Sequence, residues 1–268
     1  MLTVDQICLL TPEQVRNLKP DEIQEINEMG WNLLAKSGKE GVDNSLPIYG
    51  PWIATEDELK IFKHIEGKSI LDLGCGKGGS LEYLAKQGAG ELFGSDISSE
   101  RIKQLLTNPI FKKENFVVLP MECDLKKRKF VDMVIAMYSL GYTSNIKRTL
   151  ELSNRYLKRR GKFIMSWIHP IFSCVSIVNG QPIINDPYFI QGPTLLKKGP
   201  NKIPVILERF KIETLVRHLY NAGFAVNNIF EPDPIKIEPG TEITPFYSKE
   251  KQIVPNTLII EAMKVKEI

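Results

Sequence analysis

Six residues between positions 72 and 96 could hold a nucleoside together: Asp72, Gly74, Gly76, Gly78, Gly79 and Asp96. An apolar run, Ile70 to Leu73, enters the turn Gly74-Cys75-Gly76-Lys77-Gly78-Gly79, and a helical stretch follows. Roughly twenty residues on, the spacing of a ribose-binding acid, a second apolar run ends in Asp96 within Gly-Ser-Asp-Ile-Ser. Glycines let the main chain take positive φ and come close to a ligand. A carboxylate at the next strand end can accept both ribose hydroxyls.

Two kinds of cofactor compete for such a turn. Gly74 to Gly79 satisfies the dinucleotide fingerprint G-x-G-x-x-G, a pattern with little specificity by itself. Asp72 decides between them. A pyrophosphate gains nothing from an anion beside it, because like charges repel. S-adenosylmethionine has no phosphate but carries an α-ammonium and a sulfonium, and an acid at the strand end suits that cation.

On these residues the chain resembles the class I S-adenosylmethionine-dependent methyltransferases. Their first motif corresponds to Asp72, Gly74, Gly76 and Gly78, and their ribose-binding acid to Asp96. Phe116-Val-Val-Leu-Pro-Met-Glu-Cys-Asp124 is similar to their adenine-flanking segment, with Met121 where an Asp is usual or the acid shifted to Asp124. Phe130 to Tyr138 is similar to their fourth strand with its entering acid, Asp132, which by position anchors a loop rather than touching cofactor. The resemblance covers about residues 46 to 167. It implies a doubly wound, mostly parallel seven-stranded α/β sheet and S-adenosylmethionine as cofactor. It places Asp72 toward the methionine ammonium, Gly74, Cys75 and Gly76 in the cofactor turn, and Asp96 and Ile97 at the ribose. Met121, Glu122 and Cys123 fall beside adenine, and Tyr49 and Met137 near the methionine end.

Methyl transfer chiefly requires alignment of a nucleophile and exclusion of water, so the acceptor leaves a faint trace in sequence. Aromatic residues cluster where strands end: Tyr49 and Trp52 before the core, Tyr138 and Tyr142 after the fourth strand, Trp167 after the fifth. Phe163-Ile-Met-Ser-Trp-Ile-His-Pro170 resembles a His-Pro pair in a bacterial branch of small-molecule methyltransferases. His169 is the candidate general base, since imidazole can take a proton near neutral pH. The competing role is a rim histidine that holds a lid by a hydrogen bond. Tyr142, Trp167 and Tyr188 are the candidate acceptor-pocket residues, and no metal site is expected.

The elements that must position these groups alternate in the chain. Strands are expected at 69–73, 91–95, 115–119, 131–136 and 161–167, with helices at about 79–87, 98–107 and 145–158, the last closed by Arg159-Arg160-Gly161. Such alternation points to a parallel sheet. Thr11-Pro12-Glu13 and Thr55-Glu56-Asp57 read as helix starts, and Gly38 to Tyr49 as a loop. Residues 168 to 205, rich in Pro and Gly, read as an inserted lid or extended loops. A helix at about 208–222 and strands at about 224–230 and 257–264 complete a single domain over residues 1–268. Its parts are a helical cap (1–60), the cofactor core (61–167), the lid (168–205) and the closing elements (206–268).

Composition narrows the rest. Of 268 residues 43% are apolar, enough for a sizeable core, and the net charge of +3 demands no anionic partner. Four dispersed cysteines fit a reduced, cytoplasmic setting better than disulfides or zinc. No signal peptide and no apolar stretch of the ~18 residues that cross a bilayer is evident. The basic runs Lys126–Lys129 and Lys158–Lys162 raise a nucleic-acid substrate as an alternative, yet solvated helix ends explain them equally. The segment after the fourth strand, Ala136-Met-Tyr-Ser, lacks the Pro-Pro-aromatic tetrapeptide of amino-methylating nucleic-acid enzymes. The expectation is therefore methyl transfer to a small molecule at O, N or C. A nucleic-acid or protein methyltransferase and a non-catalytic cofactor-binding regulator stand as rivals. Oligomeric state is not legible.

Overall fold

The computed structural model describes residues 2–38, 49–51, 53–235 and 252–268; Trp52 and most of the expected 38–49 loop lie outside the described residues. Helices α1 (Val4–Cys8), α2 (Pro12–Arg16), α3 (Pro20–Ser37) and α4 (Glu56–Leu59) come first. The core alternates β1 (Ile70–Leu73), α5 (Gly79–Lys86), β2 (Leu92–Asp96), α6 (Ser99–Leu105), β3 (Phe116–Val118), β4 (Val131–Met137), α7 (Ile146–Tyr156) and β5 (Leu157–Ile168). Two hairpins follow, β6 (Val175–Val178) with β7 (Gln181–Ile184) and β8 (Gly192–Lys198) with β9 (Ile203–Arg209). The chain closes with α8 (Ile212–Asn221), β10 (Phe224–Phe230) and β11 (Thr257–Lys264).

Seven strands form one sheet in the order β10-β11-β5-β4-β1-β2-β3. Strands β1 to β5 pair in parallel, and β11 runs antiparallel to both β5 and β10. This is the doubly wound seven-stranded sheet that the resemblance implies. Helices cover both faces because the central strands are apolar on both. In β4, Met133 and Ile135 pack toward Leu81, Leu84 and Ile102 of α5 and α6. Their neighbours Val134 and Ala136 pack toward Leu150, Leu215 and Leu219 of α7 and α8. The period of two thus sorts one strand between two cores.

Three expectations are corrected. Helix α7 stops at Tyr156 instead of running to 158, and β5 begins at once. The Tyr156 hydroxyl, which accepts from the Leu125 N–H (2.8 Å), pins that end. Lys158 to Gly161 form an excursion within β5, where the register steps from Val131↔Leu157 to Met133↔Lys162 and Arg160 takes φ 60°. The basic run that was expected to close a helix therefore bulges into solvent. Residues 168–205 are two hairpins instead of extended loops, and α8 starts at Ile212 instead of about 208 because β9 continues to Arg209.

The first and last parts of the chain meet over the carboxyl edge of the sheet. Asn27 of α3 is buried and acts as a piece of strand. Its Oδ1 accepts from the Ile206 N–H (2.7 Å), and its Nδ2 donates to the carbonyls of Ile206 (2.9 Å) and Tyr142 (3.1 Å). One amide ties α3, β9 and the loop after β4 together. Farther along α3, the Asn32 side-chain Oδ1 accepts from the Ser98 hydroxyl (2.7 Å) and the Glu100 N–H (3.2 Å) at the start of α6. Asn27→Ala should lower the unfolding free energy by about 1–3 kcal/mol, the cost of buried main-chain groups left unpaired. Urea denaturation compared with an exposed control such as Glu28→Ala checks this; a loss equal to the control's would contradict it.

Candidate functional site

Strand β1 delivers Asp72 and then turns at Gly74. The N–H groups of Gly74 and Cys75 both donate to the Ser95 carbonyl (2.7 and 3.0 Å), which draws the turn onto β2. Gly74 and Gly76 hold φ of 75° and 54°, the left-handed region that side chains disfavour. A Cβ at Gly74 would stand 2.6 Å from the Ser139 Cβ. Ser139 roofs the turn from the end of β4 and donates to the Leu73 carbonyl (2.6 Å). Tyr138 before it takes φ 52°, an uncommon conformation for a bulky residue, with its N–H donating to Ser166 Oγ (2.9 Å).

Asp96 closes the other side. Its Oδ2 accepts from the Gly76 N–H and its Oδ1 from the Ser98 N–H, both at 2.8 Å. Asp72 is different. It is 2% exposed, and its Oδ1 has no hydrogen-bond partner among the described residues. Burial, reinforced by the nearby Asp96 charge, pushes its carboxyl up to about 8. A buried acceptor with no donor is costly. It is the feature an incoming ammonium would relieve, so the residues present fit the amino-acid end of S-adenosylmethionine.

The other expected cofactor residues separate. Ile97 is partly exposed directly after Asp96, and Met121 brings its Cε to within 3.4 Å of the Gly74 Cβ position. Met137, at the end of β4, is partly exposed too. Cys75 belongs to the core beneath the turn: its Sγ lies 2.8 Å from where a Cβ at Gly94 would stand. Burial first, then the charges of Asp96 and Asp72, raise its thiol pKa.

Glu122 is a tie between elements, not an open group beside the turn. Its Oε1 accepts from Gln24 Nε2 (2.9 Å) and from the Ser144 N–H (3.1 Å) and hydroxyl, and its Oε2 from Thr143 Oγ1 (3.1 Å). Cys123 is partly buried next to it. Tyr49 is fully buried, stacked on Phe62 at 6.0 Å, and donates to Glu56, whose carboxylate also takes the N–H groups of Ile61 and Phe62. With ring and hydroxyl both engaged, Tyr49 presents no surface to a cofactor. Asp132 lies at the amino end of β4. Against the upward push of burial, Lys158 Nζ (2.9 Å) and the Ser69 N–H and hydroxyl (3.0 and 2.7 Å) hold it down at about 2. It ties β1 to β4 and β5 at the edge opposite Asp72.

His169 is corrected most sharply. It is 4% exposed. The Ile171 N–H donates to its Nδ1 (3.2 Å), so Nδ1 carries no proton, and Nε2–H donates to Glu231 Oε1 (2.8 Å). Both nitrogens are used. Burial lowers its pKa, opposed by Glu231. No lone pair remains to accept a substrate proton; the ring clamps the start of the inserted segment to the end of β10.

The acceptor-pocket residues do meet. Trp31 of α3, Tyr142 and Trp167 form a chain of edge-to-face contacts, at 4.8 Å and then 4.9 Å. Arg101 and Lys198 each lie 4.6 Å from the Trp31 ring centre. Tyr188 shares a narrow cleft with Trp167. Trp31, Arg101 and Ser139 went unrecognised in the sequence. For Arg101 a signal existed, its place in the first turn of the helix after Asp96; a Cβ on Gly76 would stand 3.0 Å from its Nη1. Trp31 and Ser139 had none, because their partners are distant in the chain.

Against known proteins, residues 71–165 match a family described as Methyltransferase domain. The human protein named arginine-hydroxylase NDUFAF5, mitochondrial, is 33% identical over 99 residues, 35% of this chain and 27% of that one. The chain spans about half or less of the length of the curated relatives it matches. A putative S-adenosylmethionine dependent methyltransferase from Listeria monocytogenes superposes with TM-score 0.62 at 22% identity, over 78% of this chain and 96% of that one. The 1,6-didemethyltoxoflavin-N1-methyltransferase of Burkholderia thailandensis, solved with 1,6-didemethyltoxoflavin and S-adenosylhomocysteine, superposes with TM-score 0.60 at 14% identity, over 93% and 92%. These likenesses show the fold. Among the described residues no helix is long and apolar enough to cross a membrane.

In the ligand-free protein, Asp72 is protonated when folded and ionised when unfolded between about pH 4 and 8, so folding loses stability as pH rises across that window. Asp72→Asn should therefore melt higher than wild type at pH 8.5, by about 1–3 kcal/mol, with the gap closing toward pH 4.5. Melting curves of the ligand-free proteins check it. A gap that is absent or grows toward acid would contradict the assignment.

Proposed function

We propose that the chain, whose residues 71–165 match a methyltransferase domain, binds S-adenosylmethionine in the class I manner and transfers its methyl group to a small-molecule acceptor. The observation that carries the reading is Asp72, a buried acid whose Oδ1 lacks a donor, beside a glycine turn bonded to Asp96. S-adenosylmethionine, when bound, supplies an electrophilic methyl group on a sulfonium. Asp72 would receive its ammonium, and Asp96, at the end of β2, would take the ribose hydroxyls. Ile97 and Met121 would pack near the nucleoside, and Met137 and Ser139 would border the methionine end. Asn27 and the Trp31–Tyr142–Trp167 chain would keep the cover closed and exclude water.

One observation favours a small acceptor over a nucleic acid. The basic run at Lys158 begins beside Asp132, at the amino ends of the strands, whereas Asp72 and Asp96 stand at the carboxyl ends. The small-molecule ligand of the Burkholderia thailandensis enzyme supports the same reading by analogy of fold.

Asp96→Ala should weaken binding of S-adenosylmethionine by about 1–3 kcal/mol, as two hydroxyls lose a charged acceptor. Calorimetric titration checks it, and a change of only a few tenths would remove Asp96 from the ribose. For the reaction, the protein is incubated with methyl-labelled S-adenosylmethionine and cell extract separated into metabolite, RNA and protein fractions. Label is expected in the metabolites. Label confined to RNA or protein, or remaining on the cofactor, would overturn the small-molecule reading.

A further inference from the structure

The two basic runs that the cofactor site leaves unused meet in the fold. Lys126–Lys129 leads into β4, and Lys158–Lys162 is the excursion in β5. The N–H groups of Lys129 and Phe130 donate to the carbonyls of Arg155 and Tyr156, both at 2.9 Å, which seats the first run against the end of α7. Strand β11 adds Lys264 from a third part of the chain. Its Nζ donates to the carbonyls of Asn154 (2.8 Å) and Leu157 (2.9 Å). Between these segments lies a cleft of about 240 Å³, whose lining includes Arg128, Lys129, Arg155, Lys264 and Glu267. That is the room of about eight waters at ~30 Å³ each.

Charge in this cleft is unbalanced. Arg128 pairs with Asp124 (3.0 Å) and Lys129 with Glu267 (2.6 Å). Lys264 is 4% exposed and places two of its three N–H donors on the carbonyls; no described residue takes the third. Arg155 is partly buried, and its guanidinium has no acceptor among the described residues. Four cations line the cleft; counting Glu267 and the carboxylate at Ile268 against them leaves an excess of two. Lys129 holds φ 46°, where glycine would be unstrained, so a cation stands here at a conformational cost.

Guanidinium groups offer paired N–H donors that match phosphate oxygens, and lysine adds a compact charge. We propose that the cleft is a second, non-catalytic site that takes the diphosphate group of a small phosphorylated molecule. Arg155 and Lys264 are its inner donors, with the more exposed Arg128 and Lys129 at its mouth. The cleft lies at the amino ends of the strands, opposite Asp72 and Asp96, so it does not depend on the methyl-transfer reading. A polymer would need an unbroken track of open cations. Along this edge Lys158 is held by Asp132 (2.9 Å) and Lys162 by Glu261 (2.6 Å). Arg159 and Arg160, exposed on the bulge, strengthen the field that draws an anion in.

The probe is inorganic pyrophosphate, titrated calorimetrically into the full chain at fixed ionic strength without magnesium. One saturating site is expected, with affinity roughly tenfold above that for sulfate. The melting temperature should rise with pyrophosphate, because the ligand bridges three segments of the folded chain. Arg155→Gln should weaken pyrophosphate about tenfold, while keeping its fold by circular dichroism and its affinity for S-adenosylhomocysteine. Lys113→Gln, an exposed change before β3, should alter nothing. No saturable binding, equal binding of sulfate, or unchanged affinity in Arg155→Gln would each overturn the proposal. So would displacement of pyrophosphate by S-adenosylhomocysteine, which would put it in the cofactor turn. An RNA oligonucleotide or phosphatidylserine vesicles that bind more tightly than pyrophosphate, and through Arg155, would give the face to a macromolecule and overturn the proposal too.

Discussion

An acid buried without a partner is the constraint around which the site is organised. Asp72 sits at the end of β1 at 2% exposure, near the charge of Asp96, with one oxygen unbonded. A fold optimised for stability alone would place an apolar residue or an amide there. The glycine turn, the Ser95 carbonyl that anchors it and the Ser139 roof keep the acid dry and fixed. Such preorganisation makes a matching cation bind well, because no water must first be removed from the carboxylate.

The cover obeys the same logic by other means. Its ties are single polar side chains, each satisfying main-chain groups from separate parts of the chain. Asn27 joins α3 to β9, Glu122 gathers Gln24, Thr143 and Ser144, and His169 joins β5 to Glu231. All three are fully engaged, so their chemistry goes into shape. Asp72 is the contrast: buried at the end of β1, its Oδ1 has no donor among the described residues.

What could be read from sequence follows from the range of the interaction. Strands β10 and β11 emerge with the bounds expected, since runs such as Thr257 to Lys264 carry their own pattern. The turn from Asp72 to Gly79 is legible because its geometry is dictated by adjacent residues. The β8–β9 hairpin hid behind Pro and Gly, yet Ile203 to Leu207 is a buried run that packs against α3. The end of α7 was misplaced because what ends it is the Tyr156 hydroxyl against Leu125, thirty-one residues away. His169 was rightly placed at the rim, but its tautomer depends on Glu231, sixty-two residues on. No local pattern carries such pairings. Tyr49 and Glu122 show the same limit, for each resembled a ligand contact until its partner came into view.

The most direct test of the central claim counts protons. If Asp72 is largely protonated near pH 7 and gives up its proton to meet the cofactor's ammonium, binding S-adenosylmethionine releases close to one proton from that carboxyl. Calorimetry at pH 7 in buffers of different ionisation enthalpy measures the number, and Asp72→Asn identifies the source. The account predicts a release of about one proton that disappears in Asp72→Asn together with most of the affinity. Binding that exchanges the same number of protons in both proteins, with equal affinity, would contradict it.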